Sequence, residues 1–234
     1  MKMIPVIMLA ALLCASCNKD SGGSSSESSP ATEAPAVSGD ETPPVVVTTP
    51  VEEPPTPVIP EPDDSLPPEA YAFDTNITLV NLTEAQTTKM KKAMEIIKLV
   101  VATDEFRGKI LNHLYGGKKT FVDNKGLTNA QIYQKILDGA ESLQPTKDSE
   151  MDCEVEMYTA STNVVGYTYS TSKRIWVNTK YFNQYTSAGV AHNLFHEWMH
   201  KLGFTHSSSW NAARDFSVPY AIGSLVGQLG KDFL

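Results

Sequence analysis

Residues 71–234 are expected to form one α+β domain, and three features of the sequence predict it. Apolar residues recur at helical spacing up to about residue 145, alternate with polar ones between 151 and 178, and return to helical spacing near the end. Strands grouped between helices, with no repeating strand–helix units, read as α+β and not as a doubly wound sheet. About 164 residues are enough for a single sizeable core.

The first helix is expected from about 84 to 102. Thr83 and Gln86 stand at capping-box spacing, and Met90, Ala93, Ile97 and Val101 make one apolar stripe. A shorter helix follows in "DEFRGKILNHLYGG", with Phe106, Ile110 and Leu114 four apart and Gly116 as its stop. After a turn ending at Gly126, "LTNAQIYQKILDGAESLQP" predicts a third helix capped by Thr128 and closed by Pro145. "MDCEVEMY" alternates as a strand with Met151, Cys153, Val155 and Met157 on its core face. "NVVGYTY" and "RIWVN", joined through "STSK", predict a hairpin. A helix from about Ala188 to Leu202 comes next, with Ser187 as its cap and Gly203 as its end. The tail "SVPYAIGSLVGQL" predicts a turn at Pro219 and a last short helix.

Ahead of the domain, residues 18–70 hold 12 of the 15 prolines, with repeated Ser, Thr and Glu and few large apolar side chains. Such a segment buries too little apolar surface to offset its ordering entropy and reads as a disordered spacer. Eleven acids against Lys19 alone place the acidic charge there, which leaves 16 acids and 17 bases in residues 71–234. The near-neutral domain has no basic stripe for nucleic acid.

Residues 1–17, "MKMIPVIMLAALLCASC", have a lysine, a short apolar run and small residues, the layout of a secretory signal. The end of this segment resembles a bacterial lipoprotein signal, with Ala15 and Ser16 before Cys17. The resemblance implies lipidation of Cys17 and, with Asn18 following it, a lipid anchor in the outer membrane of a bacterial cell envelope. An ordinary cleaved secretory signal is the other reading. Once Cys14 is removed and Cys17 acylated, Cys153 is the one thiol left, and its place on the core face of a strand argues against a nucleophile.

The densest chemistry lies in "HEWMHKLGFTH", residues 196–206. On a helix His196 and His200 leave the same face one turn apart, which suits two nitrogen ligands on one zinc ion, Zn²⁺. Gly203 can turn the chain back in a left-handed conformation and bring His206 round as the third ligand. Glu197, rotated off that line, is placed to act as general base on a metal-bound water. Three ligands with one position open describe a catalytic zinc site, since structural sites close all four.

These eleven residues fill the pattern H-E-x-x-H-x-x-G-x-x-H, and the chain in this respect resembles the metzincin zinc metalloproteases. The resemblance implies a zincin-like catalytic domain with helices around a small mixed or antiparallel sheet, and a small C-terminal subdomain after the active-site helix. It implies a zinc-dependent metalloendopeptidase, with His196, His200 and His206 as ligands, Glu197 as base and a polypeptide substrate. It also implies a strand just before the active-site helix that pairs with substrate; "RIWVN" or "NVVGYTY" holds that place, and an ordinary edge strand is the equal alternative.

The family's methionine turn is missing, because none of the eight methionines lies beyond Met199. Pro219 sits near the expected position. Tyr220, one residue off the register at which some members carry a tyrosine, is read as an oxyanion stabiliser; the plainer reading is a hydroxyl bonded at the edge of the core. His192 reads as a packed or surface histidine sooner than a cleft residue, and His113 as structural. A monomer is expected. The rival to the enzyme is a surface-tethered, non-catalytic binding lipoprotein that uses the metal as a structural staple.

Overall fold

The computed structural model describes residues 73 to 233. The signal segment, Cys17 and the spacer 18–70 lie outside the described residues. The chain order is β1 (Asp74–Val80), α1 (Glu84–Val101), α2 (Asp104–Leu111), β2 (Leu114–Tyr115), β3 (Lys118–Lys119), α3 (Asn129–Asp138), β4 (Glu150–Tyr158), β5 (Gly166–Thr168), β6 (Arg174–Asn178), α4 (Thr179–Gln184), α5 (Ser187–Lys201) and α6 (Val218–Leu229). Short 3₁₀ turns flank α6 at Arg214–Phe216 and Gly230–Phe233. The class is α+β, as expected.

The main sheet runs β1-β4-β6-β5. β1 and β6 lie parallel to β4 on either side of it, and β5 lies antiparallel to β6 at the edge, so the sheet is mixed. Its inner face presents Met151, Cys153, Val155, Ile175 and Val177 to α1 and α5. Its outer face carries Arg174, bonded to Glu154 at 2.7 Å and Glu156 at 2.6 Å, and Tyr167 stacked on Trp176 with centroids 5.1 Å apart. The Arg174 pairs tie β6 to β4, and the Tyr167–Trp176 pair stabilises a β5 of only three residues.

Helix α1 follows the sequence closely. Thr83 and Gln86 form the capping box, and Met90, Ala93, Ile97 and Val101 are all buried. The second helix is shorter than its apolar spacing suggests: it ends at Leu111, and Leu114 stands exposed in the β2–β3 hairpin. Asn112 caps it by bonding back to the Gly108 carbonyl, so the stop comes a turn before Gly116. Helix α3 ends at Asp138, not near Pro145. Gly139 there has φ 67°, and a Cβ would stand 2.3 Å from the Glu150 carbonyl oxygen, so only glycine lets the chain cross β4 at that point.

Three further differences bear on the site. β1 has no counterpart in the sequence reading; its alternation is plain in "TNITLV", but its partner β4 lies 76 residues on. Thr186, and not Ser187, caps α5, its hydroxyl accepting from Gly189 N–H at 3.2 Å. Pro219 makes no turn: it lies in the first turn of α6, where its missing N–H costs nothing. The C-terminal segment is not a separate small subdomain either, for Val218, Ile222 and Val226 belong to the same core as the sheet.

Candidate metal centre

Helix α5 is buried along most of its length, with Leu194, Phe195, Trp198 and Met199 filling the core beneath the sheet. That burial sets its rotation, and the rotation turns His192 and His196 towards α6. Two glycines of α6 let the helices approach. A Cβ on Gly223 would come 2.9 Å from His196 Cβ and 3.0 Å from the His192 carbonyl; one on Gly227 would come 2.8 Å from His192 Cβ. The four-residue spacing of Gly223 and Gly227 in "AIGSLVGQL" was the available signal for this contact.

His196 and His200 lie one turn apart on α5, and the chain leaves the helix at Gly203 with φ 92° to return His206. The three side chains converge as expected, their ligand nitrogens all within 4.8 Å of one another. Ring centroids are 5.2 Å apart for His196 with His200, 5.2 Å for His196 with His206 and 4.9 Å for His200 with His206.

The residues fit a metal ion on two observations. His200 Nδ1 lies 2.8 Å from the Phe204 carbonyl and His206 Nδ1 lies 3.0 Å from the Ser207 carbonyl. A carbonyl only accepts, so each Nδ1 carries the proton and each Nε2 keeps a lone pair for a ligand. Both ring nitrogens of His196 and the Nε2 of His206 are buried with no hydrogen-bond partner, and a metal would relieve one nitrogen on each ring. Burial also holds all three imidazoles below the usual histidine range, His200 at about 4; neighbouring histidines add to the shift at His196 and His200, and Arg214 adds to it at His206. They are therefore neutral at pH 7, as metal ligands must be.

Glu197 is buried with 1% of its surface exposed. Tyr220, brought in by the first turn of α6, sets its ring edge against His196 at 4.5 Å and His206 at 4.6 Å. Tyr220 also packs with Val165 at the start of β5, which places the edge strand next to the histidines. Among the described residues, no strand pairs with the outer side of β5.

Arg214 has no counterpart in the sequence reading, and a lone arginine in a coil gave no signal. It is buried, its guanidinium 4.5 Å from the Tyr220 ring centroid and 4.8 Å from that of Trp210. His192 is packed against α6, and burial lowers it to about 4. His113 stacks on Phe121 at 3.9 Å, away from the three-histidine group, and is structural as read. Cys153 is buried, and burial pushes its thiol far up, which suits a core residue and not a nucleophile.

No family model matches the chain, and no curated protein matches it.

Proposed function

We propose that this protein is a metzincin-like zinc endopeptidase, tethered to a bacterial envelope membrane through a lipid on Cys17. The observation that carries the reading is the convergence of three imidazoles, with buried unbonded nitrogens on His196 and His206, beside a buried glutamate one residue on from the first of them. His196, His200 and His206 would hold the ion, and three nitrogen donors suit zinc with one position left open. A zinc ion so held supplies Lewis acidity, making water acidic and the scissile carbonyl electrophilic.

The chain's own residues supply the rest. Glu197 takes a proton from the attacking water and returns it to the leaving amine nitrogen as the C–N bond breaks, so that it ends the cycle unchanged. The Tyr220 hydroxyl would donate to the oxygen that gains negative charge as the carbonyl is attacked, a role that the packing of its ring against His196 and His206 supports. The free edge of β5 would accept an extended polypeptide by main-chain pairing, which orients the scissile bond along the cleft.

Metal analysis and one variant test the reading. Purified protein is expected to hold one zinc per chain and to cleave a denatured protein substrate, while Glu197→Gln keeps the zinc and loses the cleavage. Protein that holds stoichiometric zinc but cleaves nothing would favour the non-catalytic binding lipoprotein. Protein that binds no zinc would sink both readings.

A further inference from the structure

Helix α5 ends on a lysine that is buried instead of solvated. Lys201 has 5% of its surface exposed, and its ammonium donates to three backbone carbonyls: those of Tyr169 at 3.2 Å, Ser172 and Arg174 at 2.9 Å. An ammonium has three donors and no acceptor. Three converging carbonyls therefore satisfy it fully, as they would a bound cation. These carbonyls belong to the turn that joins β5 to β6.

The turn is tied to β4, where Glu154 N–H donates to the Lys173 carbonyl at 3.2 Å, but that bond does not reach α5. Its own bonds, Thr168 Oγ1 to the Arg174 carbonyl at 2.7 Å and Arg174 N–H to Ser172 Oγ at 3.0 Å, hold its shape but not its position against α5. β5 has three residues and one neighbouring strand, and a slip of one residue would turn Tyr167 inward and Thr168 outward. One end of the strand is held beside the histidines, where Gly166 lies against Asn193 and Val165 against Tyr220. The other end meets Lys201. The residue next to the ligand His200 thus fixes the far end of the edge strand.

We propose that Lys201 is a positioning residue: its ammonium fills a three-carbonyl cation site and sets the register of β5 against the metal-binding helix, so that substrate pairs in line with the histidines. The proposal rests on the peptidase reading for its consequence in substrate binding, while the clamp itself can be measured without any activity.

The test uses the whole domain with its tether, as wild type, Lys201→Met and Lys201→Ala. In Lys201→Met, amide hydrogen exchange over residues 166–178 should quicken at least tenfold while that of α1 holds steady. The KM for an extended peptide should rise about tenfold while kcat falls less than twofold. In Lys201→Ala, millimolar n-propylammonium, the group the substitution removes, should restore slow exchange and the lower KM, and tetramethylammonium, which has no N–H donor, should not. This arm also decides the matter if Lys201→Met fails to fold, since Lys201→Ala can be refolded with n-propylammonium present. Exchange that stays slow in the variants, or a kcat that falls with KM unchanged, overturns the proposal. If wild type cleaves no peptide, the peptidase reading fails by itself, and exchange with its n-propylammonium rescue still decides whether Lys201 is the clamp.

Discussion

Helix α5 buries polar groups on two sides: its indole and lysine are hydrogen-bonded on one and its histidines are open on the other, although Asn193, against β5, also keeps both side-chain polar atoms unbonded. On the side facing the sheet and the α3–β4 connection, Trp198 Nε1–H donates to Glu141 Oε1, which also accepts from Asp152 N–H at 3.0 Å, and the Lys201 ammonium has a carbonyl for each proton. On the side facing α6, both nitrogens of His196 and the Nε2 of His192 are buried without a hydrogen-bond partner. Leaving a buried polar group unbonded costs about 1–3 kcal/mol. Of these open nitrogens, one on His196 belongs to the three-histidine group, where an ion could offset its cost, while His192 lies outside that group. The bonded side holds the helix in place, and the open side carries the three-histidine group that could hold an ion.

The contrast can be broken most sharply at the open side. Glu197→Gln should lower kcat for peptide cleavage by about 10²–10⁴-fold with zinc content unchanged, since only the proton-transferring group is lost. Steady-state kinetics on metal-replete protein check this. Next in size, His206→Ala should leave two ligands and abolish stoichiometric zinc, seen by metal analysis after dialysis. For wild type, adding zinc at a hundredfold excess over its Kd should stabilise the fold by about 2.7 kcal/mol, and His206→Ala should lose most of that gain in a thermal melt.

Gly223→Ala tests whether the open side depends on close helix packing. The added methyl meets His196 Cβ and the His192 carbonyl, neither of which is a flexible end, so a loss of about 1–3 kcal/mol is expected together with weaker zinc binding. An alanine at Gly108 in α2, where nothing lies within 4 Å of the added methyl, serves as the control and should be neutral or slightly stabilising.

The satisfied side should answer to pH. Burial raises the Glu141 carboxyl from 4.5 to about 7, against the opposing effect of the Trp198 and Asp152 hydrogen bonds. The folded chain therefore keeps a proton between those values that the unfolded chain has released. The stability from this group is full below about pH 4.5 and is lost as pH rises through 7, by at most about 3 kcal/mol. Denaturant melts from pH 5 to 8 should show this decline in wild type, and Glu141→Gln, which stays neutral, should flatten it.

How much of this was legible in the residues depends on the range of the signal. The capping box at Thr83 and the cap at Thr128 both form as read, and Gln131 completes a second box at Thr128 that the sequence reading did not name. The histidine pair is a helix-period feature, and the return to His206 needs only the left-handed Gly203, so the three-histidine group could be placed from eleven residues. Leu114 and Pro219 were misread for one reason: apolar spacing and a proline's dislike of helix interiors are priors that neighbouring structure overrides. A helix had already ended at Asn112, and Pro219 falls at a helix start, where proline is favoured.

By itself, then, the sequence determined the helix bearing His196, Glu197 and His200, the turn that returns His206, and the α+β class, because each depends on contacts between residues near in the chain. Only the tertiary structure decided the rest. The parallel pairing of β1 with β4, the seat of the α6 glycines against His192 and His196, the burial of Arg214 under Tyr220 and the ammonium of Lys201 among three carbonyls all join distant segments. Such contacts are chosen by how whole elements fill one core, and no local pattern of residues records that choice.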